Sequence, residues 1–252
     1  MGLILRDKRY DTVKLTFKEE GHSYHDNFNN PYTSTTTILG NYKPAFDRSY
    51  WLHKKSIELG ISEKALAAQW DNITTEACDR GNVTHDGLEN GIKLSSMFKS
   101  AVKYMTKPNG EMITIADLPD FNMNVKELDI KEFKEATENK YPEVYAVFDY
   151  YTNNGYKIYA EIGAFLIDFL LSGTIDVLCI REDQFVIGDW KTNRGGLIFE
   201  SGYYKKDKKQ KPAQTTDIWV PKKETLLPPL NHLPNCNGYI YNMQLSIYAF
   251  MV

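Results

Sequence analysis

Cysteine is scarce: the chain has three in 252 residues. Cys78, Cys179 and Cys236 lie far apart, with no CxxC or Cys/His pattern beside them, so neither a disulfide framework nor a zinc or iron–sulfur centre is indicated and all three read as inert thiols. Long apolar runs are also missing. None approaches the roughly 18 residues of a membrane-spanning helix, and the opening MGLILRDKRYD lacks the apolar stretch of a signal peptide, so the expectation is a cytoplasmic protein with no membrane partner. Net positive charge is absent too, at −3 overall. A nucleic-acid ligand would therefore need a local concentration of lysine or arginine. Internal repeats and low-complexity tracts are lacking, which excludes solenoids and arrays.

What is present is an ordinary globular composition, 42% hydrophobic and 25% charged. At this length one domain over 1–252, with a helical elaboration, is expected. Residues 1–48 read as short strands and turns, with a turn marked by Asn29-Asn30-Pro31. From 49 to 153 the pattern is mainly helical. One helix ends at Gly60, a second is capped by Ser62, a third runs from Glu76 to Leu88, and others cover 126–139 and 142–153, the last with Pro142 in its first turn. Residues 106–124 read as loop. Residues 154–252 carry strands, a Lys/Pro/Asn-rich loop over 201–238, and a closing helix. The expected class is α+β, a helical N-terminal half packed on a sheet.

The stretch GTIDVLCIREDQFVIGDWKT, residues 173–192, carries Asp176, Asp189 and Lys191 inside apolar runs. With Glu182-Asp183 at the tip, Arg181 faces Gln184, Ile180 faces Phe185 and, counting back, Asp176 faces Asp189; a three- or five-residue loop would shift this pairing by one. Lys191 falls two residues beyond Asp189 and so on its face. Opposed side chains lie about 4.5–5.5 Å apart at Cβ, where like charges repel. One lysine against two carboxylates leaves a negative charge over, which suits a hard divalent ion such as Mg2+ or Mn2+. The alternative is an edge hairpin with solvated charges.

Other residues could join them. Glu161 is a carboxylate in the apolar strand KIYAEIGAFLI, otherwise a salt-bridged edge residue. His85 shares a helix face with Gly81 and Glu89. A mid-helix glycine costs about 1 kcal/mol relative to alanine, so something is expected to approach closely at Gly81. Gln244 and Tyr248 lie one turn apart and offer an amide and a phenol to a common partner, unless they simply pack the helix on the core. His22 and His25 have strand spacing for a metal pair, but nothing else supports that and they read as structural. Lys205, Lys206, Lys208, Lys209 and Lys211, interleaved with Tyr203 and Tyr204, form the one concentrated basic run, with Lys222-Lys223 soon after; solvation alone would also account for it.

Taken in order, Arg80-Gly81-x-x-x-His85-x-x-x-Glu89, Glu161, Gly173-Thr174-Ile175-Asp176, Asp189-Trp190-Lys191-Thr192 and Gln244-x-x-x-Tyr248 resemble a RecB-type nuclease of the PD-(D/E)XK superfamily, in its phage-encoded form. The resemblance covers roughly 70–92 and 155–250. Ile175 stands where the superfamily name has proline, as is usual in this branch, and the chain ends four residues past Tyr248, where such proteins run on, so a shortened or compact member is expected. The resemblance implies a mixed sheet flanked by helices and a Mg2+- or Mn2+-dependent DNA nuclease in the host cytoplasm, an exonuclease of recombination, repair or processing. It implies His85, Asp176, Asp189 and the backbone carbonyl of Trp190 as metal ligands. Lys191 would be the catalytic lysine, Glu161 would hold the metal's water, and Gln244 and Tyr248 would support the site. The five lysines of the basic run would grip DNA phosphates. Two alternatives stand: a catalytically idle DNA-binding or assembly module, and an RNA-processing nuclease.

Overall fold

The run Ile175–Ile180 is apolar except at one position and is set for burial on both sides, as a central strand requires. A computed structural model describes residues 12–13, 15–18, 23–94, 111–112, 130–182, 184–193, 195–207 and 214–252. The run lies in the long strand β6, Leu171–Arg181, whose side chains from Ile175 to Cys179 are all buried. Asp176 is the only charged residue among those five.

Seven strands of the described residues form one mixed sheet: β1 Leu15–Lys18, β2 Ser23–Asp26, β3 Pro31–Ser34, β4 Glu111–Met112, β5 Lys157–Leu166, β6, and β7 Gln184–Gly188. Their order is β4-β1-β2-β3-β6-β5, with β7 also on β6. The β6–β7 register is the expected one, Arg181 against Gln184 through Val177 against Gly188, and Glu182 turns the tip with a left-handed φ of 54°. On its other side β6 pairs with β5 along its whole length. Strand β3 runs parallel to β6 at Leu171 and Ser172, and β7 begins pairing only at Val177. The β6 edge from Gly173 to Asp176 lies between these two partners.

The helices are α1 Thr35–Gly40, α2 Arg48–Leu59, α3 Glu63–Leu94, α4 Ile130–Ala136, α5 Pro142–Asn153 and α6 Asn237–Met251. Gly60 ends α2 in the left-handed region at φ 69°, and Ser62 accepts from the Ala65 amide at 3.2 Å, both as expected. The second and third expected helices are one continuous α3. Its glycines do not break it, because α3 packs closely there. A Cβ at Gly87 would lie 2.8 Å from the Tyr141 hydroxyl, and one at Gly91 would collide with Thr137 and Phe133. The helix expected over 126–139 is shorter, with 126–129 outside the described residues, and Glu111–Met112 pairs with β1 inside the expected 106–124 loop.

The chain divides into two compact units, Met1–Ile38 with His85–Trp190 and Met243–Val252, and Leu39–Thr84 with Lys191–Asn242. In the first, Leu88, Phe133, Tyr145, Phe148 and Tyr248 cover the apolar residues of β5 and β6, an α+β arrangement with helices on a mixed central sheet. In the second, the expected 201–238 loop contains a hairpin, β8 Gly202–Asp207 with β9 Gln214–Pro221, because Tyr203, Tyr204, Ile218, Trp219 and Val220 favour strand despite the lysines between them. No helix among the described residues is long and apolar enough to cross a membrane.

Candidate active site

The register of three strands sets the acids in a row. Ala160 pairs with Val177 and Ile162 with Ile175, so Glu161 is level with Asp176; the Val177–Gly188 pair ends the other ladder, and Asp189 follows one step on, level with Asp176 again. Asp176 is thus the middle of three carboxylate positions across β5, β6 and the end of β7. The side chains of Glu161 and of Glu89 lie outside the described residues.

Asp176 is nearly buried, its side chain 12% exposed, and is held from two directions. The Trp190 amide donates to its Oδ2 at 2.8 Å, which fixes the chain as it leaves β7. His85, from α3, brings Nε2 to 3.5 Å of the same oxygen. Asp189 is held by α6: Gln244 Nε2 donates to its Oδ1 at 3.3 Å and to the Tyr248 hydroxyl at 3.2 Å. One amide nitrogen with two hydrogens serves both partners. Burial above all holds the Tyr248 phenol far above its usual range; the Gln244 hydrogen bond opposes this, and the charges of Asp189 and Asp176 reinforce it. Tyr248 therefore stays a neutral hydroxyl beside the acids. Its ring lies on the β6 backbone at Gly173, where a Cβ would come within 2.5 Å of it. Any larger residue there would push α6 off the strand.

Lys191 lies beyond the end of the strand. The ladder stops at Gly188, so strand alternation does not carry on to Lys191, which is exposed in coil. Its ammonium lies 5.0 Å from the ring centre of Tyr241. The Tyr241 hydroxyl donates to Asn193 Oδ1 at 3.1 Å, and Thr192 lies against Gly81, Oγ1 being 3.4 Å from where a glycine Cβ would stand. Gly81 thus meets a neighbour at ordinary contact distance, and the closer approaches on α3 are at Gly87 and Gly91. Tyr241 and Asn193 went unrecognised in the sequence. The available signal was spacing, since Tyr241, Gln244 and Tyr248 repeat at three and four residues.

His25 lies in β2 and its ring Nδ1 is buried with no hydrogen-bond partner among the described residues; His22 lies outside them. Of the basic run, Lys205 and Lys206 are in β8, while Lys208, Lys209 and Lys211 lie outside the described residues.

For a divalent ion, His85 Nε2 and Asp176 Oδ2 lie 3.5 Å apart, close enough to reach one centre; the carboxylate suits Mg2+ or Mn2+, and the softer imidazole suits Mn2+ better than Mg2+. No group of three or more His, Cys, Asp or Glu placed to hold a metal occurs among the described residues. The fit shown is therefore that of a two-residue pair, with Asp189 hydrogen-bonded to Gln244. No family model matches the chain, and no curated protein or solved structure matches it.

Proposed function

We propose that the chain is a metal-dependent DNA nuclease with a PD-(D/E)XK core of the RecB type, an exonuclease of phage DNA recombination, repair or processing that works in the host cytoplasm. The observation that carries this reading is the row of carboxylate positions Glu161, Asp176 and Asp189 at one level of the sheet, with His85 against the middle one. Acids stacked across adjacent strands repel, and a buried fold keeps such an arrangement where something cationic is to be bound.

His85 and Asp176 would hold Mg2+ or Mn2+, joined by Asp189 and the Trp190 carbonyl. When bound, the ion supplies Lewis acidity toward the phosphate and a more acidic water. Asp189 is oriented by the Gln244 amide. Tyr248, kept neutral by burial, closes the apolar side of the site. Lys191 orients the attacking water and offsets charge on the phosphate in the transition state, as a preorganised cation does. In the hydrolysis, the water oxygen forms the new bond to phosphorus and gives up a proton to solvent, while the bond to the leaving sugar oxygen breaks and that oxygen takes up a proton from solvent to leave as the hydroxyl.

The two-residue donor set favours a second reading, an idle DNA-binding or assembly module of the same fold. One assay separates the readings: end-labelled and circular duplex DNA, single-stranded DNA and RNA incubated with Mg2+, Mn2+ or EDTA. Metal-dependent loss of DNA is expected. DNA left intact with either ion sinks the nuclease proposal, and cleavage confined to RNA moves it to the RNA-processing alternative.

A further inference from the structure

The β8–β9 ribbon presents its side chains to both faces. Tyr203 and Tyr204, adjacent in β8, fall on opposite faces; Trp219, opposite Tyr204, shares its face, and Lys222, just past β9, lies by Tyr203. Tyr203 is 49% exposed and Tyr204 41%, so each keeps part of its ring open to solvent.

These rings are held in place. Trp219 Nε1 donates to Glu200 Oε2 at 2.7 Å, and the indole lies flat on the backbone at Gly202, where a Cβ would come within 2.6 Å of it. Tyr204 meets that indole edge to face, ring centres 5.0 Å apart. Lys222 sits 5.6 Å from the Tyr203 ring centre. A bulge between Tyr204 and Lys206, closed by Thr216 Oγ1 donating to the Lys205 carbonyl at 2.7 Å, sharpens the twist of the ribbon. The result is two exposed aromatic rings, Tyr204 braced by Trp219 and Tyr203 with Lys222 beside it, within a segment (200–224) that carries seven lysines against four acids in a chain of net charge −3.

We infer that the β8–β9 ribbon is a binding platform for single-stranded DNA, with bases stacking on Tyr204 and Tyr203 and backbone phosphates meeting Lys205, Lys206 and Lys222. Braced aromatics stack on any unpaired base, because every base has a π face, while lysine follows the backbone. A duplex keeps its bases stacked inside, so exposed aromatic rings meet no free base face there, whereas an unpaired strand offers one at every nucleotide. The choice of DNA over RNA rests on the nuclease proposal; the stacking does not.

The test is binding without cleavage. The full chain in EDTA is titrated into fluorescein-labelled oligo-dT of about 20 nucleotides, an oligo-rU of the same length, and a duplex, with anisotropy as the readout. Tyr204→Ala should weaken oligo-dT binding about 5- to 150-fold, the range seen when one stacked base is lost, and Tyr204→Phe should stay within about twofold of the parent, since a phenyl ring stacks as well. Duplex binding should be the same in all three. Replacing Lys205 and Lys206 by Gln should reduce the salt slope for both DNA forms, by about 0.7 per lost contact on the single strand. Circular dichroism of each variant reports folding. No binding of oligo-dT, equal losses on duplex and single strand, or Tyr204→Phe as weak as Tyr204→Ala would overturn the platform. Tighter binding of oligo-rU would overturn its assignment to DNA. Because metal and turnover are absent, the result is independent of whether the protein cleaves anything.

Discussion

Replacing Asp176 by Asn and by Ala separates two roles of one carboxylate. Asn keeps an oxygen for the Trp190 amide, which donates to Asp176 at 2.8 Å, but removes the charge that faces His85. Ala removes the acceptor as well. Hydrogen bonds to an ionised acceptor are roughly twice as strong as neutral ones, so Asn gives up about 1 kcal/mol. Relief of repulsion from the opposed Asp189, roughly 0.2–1 kcal/mol, works the other way. The Ala variant leaves a part-buried N–H unpaired, at about 2–3 kcal/mol. With about 2–4 °C per kcal/mol at this chain length, the metal-free Asn variant should melt within about 4 °C of the parent and the Ala variant about 4–12 °C below it. The charge has a separate readout. Mn2+ at a hundredfold excess over Kd stabilises a binding-competent parent by about 2.7 kcal/mol, or roughly 5–11 °C, and should move neither variant. Thermal melts in EDTA and in Mn2+ measure all of this. If the Asn variant responds to Mn2+ as the parent does, Asp176 is not a ligand. If Ala and Asn melt together without metal, the amide contact does not hold the end of β7.

Lys191→Ala should lower cleavage by about 100-fold or more while the Mn2+-dependent melting shift persists, because an exposed lysine acts on the reacting groups and not on the fold; turnover and melting curves on one preparation decide it. His85→Ala should reduce that melting shift and activity together, with activity partly restored at higher Mn2+, and full activity in low Mg2+ would remove His85 from the site. Gly91→Ala should destabilise by roughly 1–3 kcal/mol through collision with Thr137 and Phe133, whereas Gly81→Ala, whose nearest neighbour is Thr192 Oγ1 at 3.4 Å, should be tolerated or gain up to about 1 kcal/mol of helix propensity; urea titration ranks them. Burial pushes the Cys179 thiol up to about 12. Its folded value lies above its unfolded one, so the stability it contributes is complete below about pH 9 and is lost as pH rises toward 12, and in the native state Cys78, which is exposed, should be alkylated well before Cys179.

Much of the site was legible because its signals are local. A four-residue polar turn between two apolar runs allows few registers, and the simplest of them, Arg181 opposite Gln184, is the observed one and sets Asp176 level with Asp189. Pro142 marked the start of α5 and Gly60 the end of α2 through their own φ preferences. The i, i+4 spacing of Gln244 and Tyr248 put both on one helix face, where Gln244 bonds Tyr248 itself and, of the two, is the one that reaches Asp189 by a hydrogen bond. Tertiary structure decided the rest. Glu161 comes level with Asp176 only through the long β5–β6 ladder, whose register no short window specifies. The division of one β6 edge between β3 and β7 depends on strands more than 130 residues apart in the chain. Helix α3 runs through its glycines because Tyr141, Phe133 and Thr137 pack against them and outweigh about 1 kcal/mol of lost propensity at each. The ladder ends at Gly188, so Lys191 lies in coil with its ammonium by the Tyr241 ring, an outcome that residue spacing cannot foresee because periodicity holds only as long as the ladder does.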